Sequence, residues 1–282
     1  MSTETFDYKY FNVTFPAEHV AVVEINRPEK LNAFVEEMWH NLSKIITRLS
    51  LSPTIRSILL TGAGRAFTAG LDVQAASQGP TLNTGASANS DPARLALHHK
   101  AHILDFQACI TSIERCAKPV IVLLHGISYG LAIDISVACD VRLATADARL
   151  CIKEVDIGIA ADIGTLTRLP KAGVSMSWVK EVALTAREFG AEEALRVGLV
   201  SAVLPDKTKG IEAALDICRT IASKSPIATL GTKELINYSR DHTVEEGLNY
   251  TAVWNAAMLQ TGDVKSALLS GLQRRKPTFE KL

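Results

Sequence analysis

The apolar positions of this chain repeat with two different periods. Residues 19–26 (HVAVVEIN) and 57–62 (SILLTG) are short runs rich in β-branched side chains and bounded by turn residues, which predicts strands. Between them, apolar side chains fall at 34, 35, 38, 39, 42, 45, 46 and 49, the spacing of one helix face. Residues 119–125 predict another buried strand, followed by a helix over about 130–139. Residues 141–146 and 149–152 predict two more strands. Strands alternating with helices imply parallel pairing through crossovers. Beyond Gly164 the pattern becomes helical, over residues 175–185, 191–197, 210–223, 227–240, 244–260 and 264–274, with breaks at Pro226 and Gly262. The fold class is therefore α/β with a helical C-terminal third, and no internal repeat is visible. Residues 77–92 (SQGPTLNTGASANSDP) have the composition of a mobile loop and follow a Gly-rich turn, where a loop can cover a ligand.

Composition narrows the function. Apolar residues make up 47% of the 282 positions, enough for a large core. Lys plus Arg and Asp plus Glu both number 30, and this neutral balance argues against broad nucleic-acid or membrane-surface binding. No apolar run approaches the ~20 residues of a membrane-spanning helix. The five cysteines form no C-x-x-C pair and read as reduced, mostly buried residues of an intracellular protein. The first residues carry Glu4 and Asp7 without an apolar stretch, unlike a signal or transit peptide. The chain ends Glu280-Lys281-Leu282, which shares its last two residues with the Ser-Lys-Leu peroxisomal address.

The candidate chemistry lies in three acids. Asp134 falls in Gly126-Ile-Ser-Tyr-Gly-Leu-Ala-Ile-Asp134, and Glu154 and Asp162 fall in Glu154-Val-Asp-Ile-Gly-Ile-Ala-Ala-Asp162. Carboxyl groups among Ile, Val, Leu and Ala cost desolvation energy unless paired, protonated or used, and their pKa rises toward neutrality. Simpler roles stand beside this one. Asp134 in a first helical turn suits the dipole, Asp162 suits an N-cap, and Glu154 can pair with Lys153. Two Gly-containing turns follow strands, at 62–72 and 126–130. Neither fits a dinucleotide or P-loop fingerprint. Brought together, they could aim two backbone N–H groups at one oxygen, an oxyanion hole. His98, His99 and His102 resemble a metal cluster, but no Glu or Cys accompanies them at ligand spacing, and a polar helix face is the better reading.

Arg27-Pro-Glu-Lys-Leu-Asn-Ala-Phe34, Gly64-Arg-Ala-Phe-Thr-Ala-Gly-Leu-Asp72, Lys118-Pro-Val120 through Gly130, Ala138-Cys-Asp140 and Gly198-Leu-Val200 resemble the crotonase (enoyl-CoA hydratase/isomerase) superfamily, in order, from about residue 10 to 275. The resemblance implies a spiral of repeated ββα units over residues 1–200, holding a CoA-ester site. It implies a C-terminal helical trimerisation region over 201–282, and a trimer or dimer of trimers. Within the family, Glu154 through Pro170 is similar to the dienoyl-CoA isomerase branch, whose acidic trio maps onto Asp134, Glu154 and Asp162. Simple hydratases have glutamates at the first two positions and a small residue at the third.

By the same resemblance, the oxyanion donors are the N–H groups of Leu71 and Leu131, and Ala69, Gly70, Asp72 and Gly130 line the substrate. Arg27 and Lys30 are the candidates for the CoA phosphates. The chain has Gly130-Leu131-Ala132 where most members carry a Gly triplet; Leu131 can still supply the N–H, but a positive φ there would be costly and its side chain would narrow the acyl pocket. The implied reaction is isomerisation of a 3,5-dienoyl-CoA to a 2,4-dienoyl-CoA in unsaturated fatty-acid β-oxidation. Asp162 would act as base at carbon 2, Glu154 as acid at carbon 6, and Asp134 would tune both. It needs no metal or redox cofactor, and CoA enters only as part of the substrate. Alternatives are an enoyl-CoA hydratase, a simple enoyl-CoA isomerase, or a non-catalytic scaffold or RNA-binding member. The C-terminal tripeptide favours a peroxisomal location over the mitochondrial matrix or cytoplasm.

Overall fold

The structure is a computed structural model that describes residues 5–78 and 91–282. Six strands form the larger sheet: β1 (Phe11–Ala17), β2 (Val20–Ile25), β3 (Ser57–Gly62), β5 (Val120–Leu124), β7 (Val141–Thr145) and β10 (Ala202–Leu204), in that order. β1 pairs antiparallel with β2, and all the other neighbours run parallel. Four short strands form the second sheet, β4 (Ala66–Thr68), β6 (Ile127–Tyr129), β8 (Arg149–Cys151) and β9 (Phe189–Gly190). β3, β5 and β7 each pass through a tight turn into β4, β6 and β8. A helix follows the first two of these pairs directly, and a short helical turn at Glu154–Ile157 follows the third. This is the repeated ββα spiral, and its repeat is one of geometry rather than of sequence.

The central parallel strands β3 and β5 are buried along their whole length, on both faces. Alternation sends Ile58, Leu60, Val120, Val122 and Leu124 into the main core, with Phe34, Met38 and Leu42. Leu59, Ile121, Leu123 and Leu143 face the other way, onto Ala214, Cys218 and Ala222 of α8 (Lys207–Ala222). Residues beyond 200 thus complete the sheet and cover it. The helices after α8 are α9 (Pro226–Arg240), α10 (Val244–Met258) and α11 (Gly262–Leu272). Among the described residues no helix is long and apolar enough to cross a membrane.

Helix α1 (Glu36–Leu51) and the strands β2, β3, β5 and β7 match the periodic reading within a few residues. Around residues 77–92 the outcome divides. Ser77 and Gln78 close α2 (Val73–Gln78), and Asp91 caps α3 (Pro92–Arg115) by accepting the Ala93 N–H. The rest of that predicted loop lies outside the described residues.

One buried side chain fixes the turn between β3 and β4. Asn32 is fully buried, and its Nδ2 donates to Ala63 O, Ala66 O and Phe67 O at 2.9, 2.8 and 3.2 Å. Its Oδ1 accepts the Arg27 N–H at 2.8 Å. Replacing Asn32 by Ala leaves buried carbonyls without a donor, which costs about 1–3 kcal/mol for each group so stranded. Chemical denaturation of Asn32→Ala should show a loss of at least about 2 kcal/mol, and a midpoint within error of the parent would contradict the clamp.

Candidate active site

The two glycine turns meet backbone to backbone. A Cβ placed on Gly126, at φ +52°, would lie 1.9 Å from Arg65 O. β4 pairs parallel with β6, so the residues that follow them leave side by side. A Cβ on Gly70, at φ +94°, would stand 3.0 Å from Tyr129 O and 3.7 Å from Leu131 N. Only glycine permits that approach.

Leu71 bridges in parallel to Phe34, which takes up Gly70 O at 2.8 Å and the Asp72 N–H at 2.9 Å. Strand alternation turns the Leu71 N–H to the opposite side. Leu131 opens α4 (Leu131–Ala138), where an N–H has no intrahelical acceptor. The positive φ falls on Gly130, at +53°, and Leu131 is not among the positive-φ residues. Leucine here therefore strains no backbone, and its side chain is buried in the cleft wall.

Both turns face a cleft of about 90 Å³, walled by Leu71, Leu131, Phe106, Ile157 and Ile159, which also receives Asp134, Glu154 and Asp162. Asp134 lies one turn into α4 and is 2% exposed. Its Oδ1 accepts from the Thr165 N–H and hydroxyl at 2.7 and 2.8 Å. Burial dominates, raising its pKa to about 6 against the pull of those bonds. Glu154 begins the turn Glu154–Ile157, and its Oε1 would stand 3.3 Å from a Cβ on Gly130. Its Oε2 is buried with no hydrogen-bond partner. Burial first, and then the charge of Asp134, lift its pKa to about 7. Asp162 is exposed at the mouth, and partial desolvation by the walls raises its pKa from the ordinary value. Gln107 of α3 donates to the Asp162 carbonyl and ties that segment down.

Eight of the eleven site residues read from the sequence line the cleft: Ala69, Gly70, Leu71, Gly130, Leu131, Asp134, Glu154 and Asp162. Arg27 and Asp72 do not. They bond each other at 2.8 Å, and Asp72 also accepts the Ala75 N–H, so this charge pair braces the loop. Lys30 is exposed and outside the cleft. The simpler roles for two acids fail as well. Lys153 pairs with Asp156, not with Glu154. The N-cap of α5 (Thr165–Arg168) is Gly164, and its side-chain acceptor is Asp134 rather than Asp162. Phe106, Gln107 and Thr165 were missed. Phe106 and Gln107 sit on a helix whose apolar stripe is sparse, and Thr165 is joined to Asp134 across 31 positions.

A larger cavity of about 430 Å³ lies under α9. Its charged groups are already paired, Lys233 with Asp140 at 2.8 Å and Arg168 with Glu114 at 3.0 Å. Chemistry therefore belongs to the smaller cleft, where a carboxyl oxygen has no partner.

Residues 16–281 match the family described as enoyl-CoA hydratase/isomerase. A mitochondrial delta(3,5)-delta(2,4)-dienoyl-CoA isomerase of Rattus norvegicus is 41% identical over 279 residues, covering 98% of this chain and 84% of that one. A peroxisomal delta(3,5)-delta(2,4)-dienoyl-CoA isomerase of Arabidopsis thaliana is 41% identical, covering 92% of this chain and 91% of that one. The crystal structure of an enoyl-CoA hydratase from Bacillus anthracis superposes with a TM-score of 0.84 at 27% identity, over 96% of this chain and 99% of that one. With its spiral of ββα units, its paired glycine turns and its buried acids, the chain belongs to the enoyl-CoA hydratase/isomerase family, the crotonases.

Proposed function

We propose that this chain isomerises a 3,5-dienoyl-CoA to the 2,4-dienoyl-CoA. The observation that carries the reading is the buried, unpartnered Oε2 of Glu154 in a cleft shared with the exposed Asp162. The N–H groups of Leu71 and Leu131 would receive the thioester oxygen. Each such donor is worth about 2.7–4 kcal/mol in the transition state. Asp162, ionised and open to the cleft, takes a proton from carbon 2. The electron pair enters a dienolate held by the two N–H groups. Glu154, protonated at pH near 7, then delivers a proton to carbon 6. One proton leaves and one arrives, so both double bonds shift with no net change in composition. Asp134 stays behind the pair, and its charge keeps the proton on Glu154.

Hydration would need a water activated between Glu154 and Asp134. Thr165 engages only the Oδ1 of Asp134, and a fall in the ultraviolet absorbance of a 2-enoyl-CoA would mark that alternative. The acids and two N–H groups suffice for the proton shift without a metal or redox group, and CoA enters with the substrate. The 1–200 spiral would hold the ester and the 201–282 region would make oligomer contacts in a trimer or dimer of trimers. Large apolar side chains left exposed on α9–α11, among them Ile236, Val244, Leu248 and Leu272, support this. A peroxisomal location draws support from the peroxisomal relative of Arabidopsis thaliana, and the mitochondrial matrix is the alternative, after the mitochondrial relatives.

Asp162→Asn is expected to lower turnover of a 3,5-dienoyl-CoA about 10²–10⁴-fold. Absorbance of the conjugated product reads the turnover, and calorimetry should find binding of a saturated acyl-CoA unchanged. Equal losses of binding and turnover would contradict the role of base.

The pH profile of kcat should be a bell. It rises as Asp162 loses its proton and falls as Glu154 loses its own through about pH 7. Asp134→Asn keeps an acceptor for Thr165 but removes the charge that holds Glu154 protonated. Its alkaline limb should therefore move to lower pH. A limb that stays in place would show that Asp134 does not tune Glu154.

A further inference from the structure

Helices α1 and α3 pack side by side, and each turns one i, i+4 pair of metal-ligating side chains toward the other. Glu36 and His40 stand on α1; Asp105 and Cys109 stand on α3. His40 Nε2 is 3.3 Å from Asp105 Oδ2 and 3.7 Å from Glu36 Oε1. His40 Nδ1 is 3.5 Å from Cys109 Sγ. One donor atom from each of His40, Asp105 and Cys109 falls within 4.8 Å of the others. Bonds of about 2.0–2.3 Å to a tetrahedral zinc imply ligand-to-ligand edges of about 3.3–3.7 Å. His40 meets Asp105 through Nε2 and Cys109 through Nδ1, so one ion shared by all three requires small side-chain rotations that turn a single His40 nitrogen to both, from donors that already lie within 4.8 Å of one another.

We propose that His40, Asp105 and Cys109 form a site for a divalent ion of the zinc class, apart from the catalytic cleft, with Glu36 beside His40 as a further carboxylate within reach. The donor set is one thiolate, one imidazole and carboxylates, which are the ligands that zinc accepts. The thiol closes the site from inside, being 7% exposed, while His40 and Asp105 line an open rim through which an ion can enter. On binding, the Cys109 S–H bond breaks, its proton passes to solvent and the sulfur becomes the ligand. His40 binds as the neutral imidazole through one nitrogen. His98, His99 and His102, the histidines that stand out in the sequence, are not members of this group.

The position gives the ion something to brace. One turn away, Trp39 of α1 stacks on Phe106 of α3 at 3.9 Å. Phe106 walls the cleft, and the adjacent Gln107 holds the Asp162 carbonyl. An ion joining the helices would fix the α3 wall against α1 without touching substrate. The inference does not depend on which acyl-CoA the cleft takes.

The test uses the full chain, stripped with a chelator and kept in a non-thiol reductant, titrated with zinc chloride by calorimetry and with Co(II) by absorption. We expect one ion per chain, release of a proton, a higher melting temperature with zinc, and a thiolate-to-cobalt charge-transfer band. Cys109→Ser should abolish that band, and Asp105→Asn, on the exposed rim, should weaken zinc binding by roughly tenfold or more. Parent protein that binds zinc no tighter than these variants would overturn the proposal. So would a charge-transfer band that survives in Cys109→Ser.

Discussion

The cleft depends on carboxyl groups held out of water. Asp134 and Glu154 lie where solvent cannot pay for their charge, so their pKa values rise to about 6 and about 7, and Asp134 gives up its proton before Glu154 does. Their proximity adds to the effect, because ionising one raises the cost of ionising the other. Asp162, nearer to water, ionises more readily. A single set of like groups thereby splits into an acid and a base near neutral pH. Burial has a cost to the fold, and Thr165 offsets part of it by giving Asp134 two hydrogen bonds.

What keeps the acids in that environment is the close approach of two loops. Gly126, against Arg65 at a distance no side chain would allow, and Gly70, at φ +94° and close against Tyr129, bring the ends of β4 and β6 together. Asn32 locks the first loop from behind by satisfying three carbonyls at once. The Arg27–Asp72 pair closes its far end. In the second turn the positive φ falls on Gly126 and Gly130 and not on Leu131. That is why Leu131 can replace a glycine without moving the N–H it supplies. The change instead puts an apolar side chain in the cleft wall, where it can bear on which acyl groups fit.

Much of this was legible from residue order alone. The parallel body followed from apolar runs, since strands buried on both faces advertise themselves as unbroken hydrophobic stretches, and Ser57–Gly62 matches to the residue. The acids stood out because carboxyl groups are costly among Ile, Val and Ala. The resemblance to a family then assigned them roles that spacing could not. Strands of two or three residues, such as β4, β6 and β9, escaped notice because neighbouring strands, not their own periodicity, hold them. The bond from Arg27 to Asp72 could not be read in advance, because a lone cation carries no sign of its partner and Asp72 lies 45 positions away. Nothing in the order of residues marks Asn32 as a buried donor, which only three-dimensional packing shows. The Glu36–His40 and Asp105–Cys109 pairs each have ligand spacing, but nothing in the order of residues says that their helices meet.

The most direct test of the central claim is the protonation of Glu154 itself, followed by carbon-13 NMR of labelled glutamate carboxyls across a pH titration, in the parent and in Glu154→Gln. One glutamate signal should titrate near pH 7 and be missing from the variant. If every glutamate carboxyl instead titrates near the ordinary value of about 4.3, Glu154 is ionised at neutral pH and cannot be the proton donor described here.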